Sequence, residues 1–345
     1  MATRSRFPVV FLGCAHPHAD GRANRVRSVA GTELVGAFDD DEKIVGPFCA
    51  RQKTQIFPSV QAALDSARGG LAIIESKNRR NAELARLAID AGVPILLDKP
   101  GAHEPKTLRE LAVHARSKKA WVQVGYHMRY GPTIAPAMEI VRGGKLGRIT
   151  TGRFHSSVQR PWLTNEWFCD REDLGGLVFL DFCHVLDLLI QFLGEPTDVV
   201  CRLKKLPELA EHPFEDSAAL IVTIGDTLLA GDVCGWETND WVDTWDLQLF
   251  GTEGTLVVGL HPPRMRFWSP EEKSGRNATP RGWTDLHHES FNGEENYERE
   301  LRDVITRLKK GQPPGGCTLD QAVVIVDTLA KAYASANGKA KKARS

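Results

Sequence analysis

Three things this chain lacks narrow the field before any motif is read. It has no Cys-x-x-Cys pair: Cys14, Cys49, Cys169, Cys183, Cys201, Cys234 and Cys317 are odd in number and scattered. That excludes a disulfide framework and a structural zinc ribbon, and it fits a reducing compartment. Neither charge is in surplus, with lysine plus arginine and aspartate plus glutamate at 44 each. No overall field would therefore gather nucleic acid or anionic lipid. No uninterrupted apolar run approaches the ~20 residues of a membrane span. Met1-Ala-Thr-Arg-Ser-Arg6 runs straight into the first apolar segment, which leaves no room for a signal peptide, so a cytoplasmic location is expected. The Lys/Ala-rich stretch from Gly338 to Ser345 reads as a solvated tail.

What is present is an alternation of strands and helices that stops part-way along the chain. Its 345 residues suggest about two domains, each large enough for its own core. Phe7–Gly13, Thr32–Phe38, Gly70–Ile74, Val93–Leu97 and Trp121–Gly125 read as buried parallel strands, the last counted as the sixth of its sheet. Helices are expected over residues 18–30, 81–91 and 106–115. Beyond residue 127 the period changes to a run of strands over 149–159, 199–203, 218–223, 228–236, 245–250 and 255–259. Helices over 297–309 and 319–336 close the chain. Parallel βα units followed by strands give an α/β Rossmann domain over 1–127. A second, α+β domain over 128–345 follows.

The first strand ends in Gly13-Cys-Ala-His-Pro-His18 and turns into a helix; the second ends in Asp39-Asp-Asp41. That is the dinucleotide-binding layout of glycine turn, helix N-terminus for a pyrophosphate, and acid for the ribose hydroxyls. Against Gly-x-Gly-x-x-Gly, Gly13 keeps the first place, Ala15 fills the second and His18 the third. Asp39 would bond both ribose hydroxyls of NAD and repel the extra phosphate of NADP, so NAD is the expected cofactor. The fourth expected strand, Gly70–Ile74, ends in Glu75 and Ser76. The run Val93-Pro-Ile-Leu-Leu97 ends abruptly in Asp98-Lys99-Pro100, which places Lys99 where α/β sheets keep their active sites.

These motifs, with Gly125-Tyr-His-Met-Arg-Tyr130, Gly175-Gly176 leading to His184-Val-Leu-Asp187, and Gly251-Thr-Glu-Gly-Thr-Leu256, resemble in order the glucose-fructose oxidoreductase, inositol dehydrogenase and rhizopine-catabolism (Gfo/Idh/MocA) family. The resemblance covers nearly the whole chain. It implies an α/β Rossmann domain plus an α+β domain with a large, mostly antiparallel open sheet, bound NAD(P), and oxidation or reduction of a sugar, polyol or sugar acid at a secondary hydroxyl. It also implies a homo-oligomer, dimer or tetramer. In the family the lysine of the Lys-Pro motif binds the substrate hydroxyl and a histidine after an aspartate is the acid/base. These roles carry onto Lys99 and His184, with Asp181 beside them. Asp181 precedes His184 by three residues rather than the family's four, and Ser76-Lys77-Asn78 stands for its Thr-Pro-Asn. The cofactor set that the resemblance implies is Gly13, Ala15, His16, His18, Asp39, Ser76, Asn78, Asp98, Lys99, Pro100 and His127.

The chemistry accounts for the residue types. Oxidising an alcohol needs a base of near-neutral pKa within reach of the hydroxyl, and an ammonium beside that oxygen stabilises the developing alkoxide. Asp181, His184 and Asp187 recur every three residues and share roughly one helix face; a satisfied histidine on a packed helix is the plainer alternative for His184. His155, Arg160 and Asp170 are candidate substrate contacts. Trp162, Trp167, Trp236, Trp241 and Trp245 could stack on sugar rings or line a subunit interface. Because the motif order accounts for an oxidoreductase, no tightly bound catalytic metal is expected. The alternative is a metal-assisted lyase, hydrolase or epimerase on the same scaffold, using His16, His18 and Glu75, where strand ends deliver imidazoles and carboxylates to one crevice. A catalytically silent, cofactor-sensing protein is a third possibility, disfavoured by the presence of both Lys99 and His184.

Overall fold

The computed structural model describes residues 6–159, 170–209, 214–237, 245–269, 283–287 and 294–338. Short branched runs bounded by glycines and acids form the first sheet: β1 (Phe7–Leu12), β2 (Thr32–Phe38), β3 (Leu71–Ile74), β4 (Ile95–Leu97) and β5 (Val122–Val124). All pair in parallel in the order β2-β1-β3-β4-β5. Every residue of β3, β4 and β5 is buried, as parallel strands covered on both faces require. The helices between them are α1 (His18–Ser28), α2 (Glu42–Gln52), α3 (Val60–Ser66), α4 (Asn78–Asp90) and α5 (Pro105–Lys118). The expected count of six strands is corrected to five: Val122–Val124 is the fifth strand of the sheet, and between β2 and β3 the described chain adds only an isolated bridge of Ile56 to Ala37. The order changes direction between β1 and β3, which stay paired to their last residues, so the connections that follow them part and leave a crevice at their carboxyl ends.

The second unit begins after His127 with a 3₁₀ turn and α6 (Ile134–Arg142), then β6 (Ile149–Gln159), α7 (Arg171–Leu174) and a π turn at Val178–Phe182 that runs into α8 (Cys183–Leu193). There follow β7 (Asp198–Lys204), β8 (Ser217–Ile224), β9 (Thr227–Glu237), β10 (Trp245–Gly251), β11 (Thr255–His261), β12 (Pro263–Trp268) and β13 (Trp283–His287). They form one eight-stranded sheet in the order β13-β12-β11-β10-β6-β9-β8-β7, antiparallel throughout except between β6 and β9. Alternate residues of β8 and β10 are buried, so one face of the sheet packs on a core. The helical stretch Arg171–Leu193 supplies much of that core, with Phe182 stacked on Phe154 at 4.9 Å. By length and composition alone it could cross a membrane, yet 83% of its apolar window is buried inside the protein.

The chain ends in α9 (Glu294–Lys309) and α10 (Leu319–Ala336). Residues 294–326 group with 1–127 in the first unit, and residues 327–345 with 128–293 in the second. The reason is packing: Leu301, Val304 and Ile305 of α9 join Val9, Phe11, Ala23 and Val26 in one apolar core.

Candidate functional site

At the crevice, Gly13 takes φ +79°, and a Cβ there would lie 2.3 Å from the Cβ of Ser76. Only glycine lets β1 end this close to β3. Asp39, half-buried at the end of β2, accepts the Cys14 N–H at 2.9 Å and the Asp41 N–H at 3.1 Å; burial raises its pKa. Ala15, Asp39, Asp40, Asp41, Ser76, Lys77, Arg79 and Arg80 line a cavity of about 390 Å³. Arg80 is paired with Asp40 and with Glu83. A turn without room for a Cβ, a small residue at the cavity wall and a carboxylate at the end of β2 fit the adenosine half of a dinucleotide.

On the other side of the same turn lies a buried ionic cluster. His16 is 3% exposed, with Nδ1 3.8 Å from Glu75 Oε2 and Nε2 3.6 Å from Asp98 Oδ2. His18 Nδ1 stands 3.2 Å from Asp98 Oδ1. The side chain in the third glycine place is thus turned toward the end of β4. Arg22, buried on α1, contacts Glu75 Oε1 through Nε at 2.5 Å, pairs with Glu300 of α9, donates to the Gly125 carbonyl and lies over the Tyr297 ring. His127 also meets Tyr297, with centroids 4.5 Å apart. Burial, and then the nearby Asp98, push the Glu75 carboxyl well above the usual carboxylate range, while burial holds His16 well below the ordinary imidazole value. Burial opposes the charge on Arg22, but Glu300 and Glu75 outweigh it. Lys99 is buried directly after Asp98, and its bond to Pro100 is cis.

In the second unit, Gly176 has φ +124°, and a Cβ there would meet the Tyr333 hydroxyl at 2.1 Å. That hydroxyl donates to the buried Glu215, and the Val178 N–H points at both oxygens at 3.3 Å each. Phe179 stacks on Tyr333 at 5.4 Å. The π turn is therefore pinned at its start, and Asp181 lies within it while His184 opens α8; both are buried. His184 meets the edge of Trp245, whose indole N–H donates to the Ser157 carbonyl and whose ring also touches His261 at 5.6 Å. Asp187 is held by Arg129 through Nε at 2.8 and 3.1 Å.

Residues 7–126 match a family model described as an oxidoreductase family with an NAD-binding Rossmann fold, and residues 134–257 match its C-terminal domain. The chain belongs to the Gfo/Idh/MocA oxidoreductase family. Among its curated relatives, an inositol 2-dehydrogenase of Saccharopolyspora erythraea is 24% identical over 90% of this chain and 87% of its own length. A 1,5-anhydro-D-fructose reductase of Ensifer adhaerens is also 24% identical, over 53% of this chain and 55% of its own length. Among solved structures, a levoglucosan dehydrogenase in complex with NADH and levoglucosan superposes with a TM-score of 0.85. It covers 97% of this chain and 98% of that one at 15% identity.

Within this Gfo/Idh/MocA chain the residues named from sequence fall into two groups. Gly13, Ala15, His16, His18, Asp39, Ser76, Asp98, Lys99 and His127 all lie at or near the crevice ends of the first sheet, and Asn78 opens α4. The proposed substrate contacts are less gathered. His155 is bonded across the sheet to Asp232 at 2.9 Å, and Asp170 caps α7 by accepting the Glu172 N–H. Arg160, Trp162, Trp167 and Trp241 lie outside the described residues. Trp245 is buried, not part of an aromatic face. Sequence reading missed Arg22, Tyr297, Glu300, Glu215 and Tyr333. For Arg22 a signal existed, an arginine on the inward side of α1; its partner is 278 residues away.

Proposed function

We propose that this oxidoreductase moves hydride between NAD and a secondary hydroxyl of a sugar, polyol or sugar acid. The observation that carries the reading is Lys99, a lysine only 3% exposed at the carboxyl end of a parallel strand in an NAD-binding family fold. NAD, when bound, supplies the hydride acceptor. The Lys99 ammonium stabilises the developing alkoxide, and His184 accepts the hydroxyl proton in oxidation and returns it in reduction. Asp181, one turn earlier, orients that imidazole. The relatives that act on inositol, anhydrofructose and levoglucosan support a polyhydroxylated substrate. Asp39 supports NAD over NADP, since a carboxylate facing the ribose repels a 2′-phosphate. Lys77, Arg79 and Arg80, which line the same cavity, are the counterweight.

The test begins with quenching titrations of NADH and NADPH, followed by a screen of sugars, polyols and sugar acids for nicotinamide reduction. On the substrate found, Lys99→Met should lower kcat about a hundredfold or more with NADH affinity little changed. His184→Ala should do likewise and remove the acidic limb of the pH profile. If the two residues act on one hydroxyl, the double variant should lose far less than the product of the single losses. Near wild-type turnover in Lys99→Met would rule the mechanism out.

A further inference from the structure

We propose that His16, His18, Glu75 and Asp98 form a closed structural site for a divalent transition-metal ion, Zn²⁺ above all. One donor atom from each of the four lies within 4.8 Å of every other. His16 can offer only one of its two ring nitrogens to an ion, Nδ1 at 3.8 Å from Glu75 Oε2 or Nε2 at 3.6 Å from Asp98 Oδ2, and His18 Nδ1 stands 3.2 Å from Asp98 Oδ1. Four nitrogen and oxygen donors around tetrahedral zinc sit roughly 3.4 Å apart, so a set whose members lie within 4.8 Å closes on an ion by side-chain rotation and a small contraction.

A second observation is independent of that spacing. Glu75 and Asp98 are 0% and 1% exposed, and Glu75 Oε2 and Asp98 Oδ2 accept no hydrogen bond among the described residues. Arg22 engages the other Glu75 oxygen, Oε1. Buried carboxylate oxygens are normally hydrogen-bonded or metal-bound. The local charges agree: Glu75, Asp98 and Glu300 face Arg22 and Lys99, an excess of acid in a buried setting.

The turn is two-sided, which keeps this site apart from the nucleotide cavity. Ala15 lines the cavity beside Asp39, while His16 is turned inward against Glu75 and Asp98. Four protein donors leave no open position, the pattern of a structural rather than a catalytic ion. The proposal does not depend on the dehydrogenase reading, and no step of hydride transfer runs through the ion. The competing arrangement is metal-free: the His18 N–H lies 3.2 Å from His16 Nδ1, which would then only accept that bond.

The full chain, purified without a histidine tag, decides between them by elemental analysis. About one equivalent of zinc per chain is expected. Exhaustive chelation should lower Tm by roughly 3 °C or more, with recovery on adding Zn²⁺ but not Mg²⁺. Glu75→Gln and His18→Asn should each lose the ion, while NADH binding to the chelated wild type stays within about threefold. Wild-type protein with no zinc and no saturable Zn²⁺ uptake tighter than about 10 µM would overturn the proposal without reference to any variant. So would full zinc retention in the Glu75→Gln, His18→Asn double variant. Loss of turnover on chelation with Tm unchanged would overturn the structural assignment. The proposed dehydrogenase function fails separately, through absent NADH binding or an active Lys99→Met.

Discussion

His261 gives the sharpest quantitative prediction, because burial alone lowers its pKa from 6.5 to about 3. The residue is 4% exposed and lies edge-on to Trp245, the ring that also meets His184. In the unfolded chain the imidazole protonates near pH 6.5; in the folded chain it stays neutral until far lower. The unfolded state therefore binds more protons throughout that window. Stability from this group is complete above pH 6.5, falls as the pH drops toward the folded value, and is level below it. At pH 5 the loss is 1.36 kcal/mol for each of the roughly 1.5 pH units below 6.5, or about 2 kcal/mol. That figure holds for any folded pKa below about 4, since the folded imidazole is then still neutral at pH 5. The assay is urea unfolding of wild type and His261→Gln at pH 8 and pH 5. Carboxylate contributions are common to both proteins and cancel in the comparison. The wild type should lose about 2 kcal/mol more than the variant between the two pH values. Equal losses would show that His261 does not fold neutral.

Arg22→Met should destabilise the first unit by about 3–5 kcal/mol, because it leaves Glu75 and Glu300 as buried acids without their cation; thermal unfolding reads this, and Glu300→Gln in the same background should recover part of it. Gly176→Ala should cost about 2–4 kcal/mol, since it adds backbone strain at φ +124° and drives a methyl into the Tyr333–Glu215 pair; denaturant midpoints at constant slope would show it. Asp39→Ala should weaken NADH binding roughly tenfold and narrow or reverse the preference over NADPH, as quenching titrations with both nucleotides would reveal.

What could be read from sequence follows from what is local. Lys99 was placed because an apolar run ends at Asp98, and Asp39 because an acid closes a strand at the right remove from Gly13. The later strands declared themselves by period-two burial. β12 was missed although Arg264 and Arg266 alternate with Met265 and Phe267, since Pro262-Pro263 at its start imitates a loop. The π turn has no compositional trace. Its wider winding carries Asp181 into the helix that begins at Cys183, the place where the three-residue spacing to His184 departs from the family's four. The coming-together of Asp98 with His16 and His18 depends on the packing of strand ends, and the Arg22–Glu300 pair on a return of the chain that no window of residues contains.

That return has a consequence for how the protein is made. During synthesis every strand of the first sheet has been made by Val124, while α9 is encoded only after residues 128–293 of the second unit. At 5–20 residues per second the interval is about ten to thirty seconds. Throughout it the strip that Leu301, Val304 and Ile305 will cover is bare, and Arg22 has Glu75 but not Glu300. During that time the nascent amino-terminal third exposes apolar surface of the kind that chaperones bind. A gene cut after residue 127 would leave it in that state permanently.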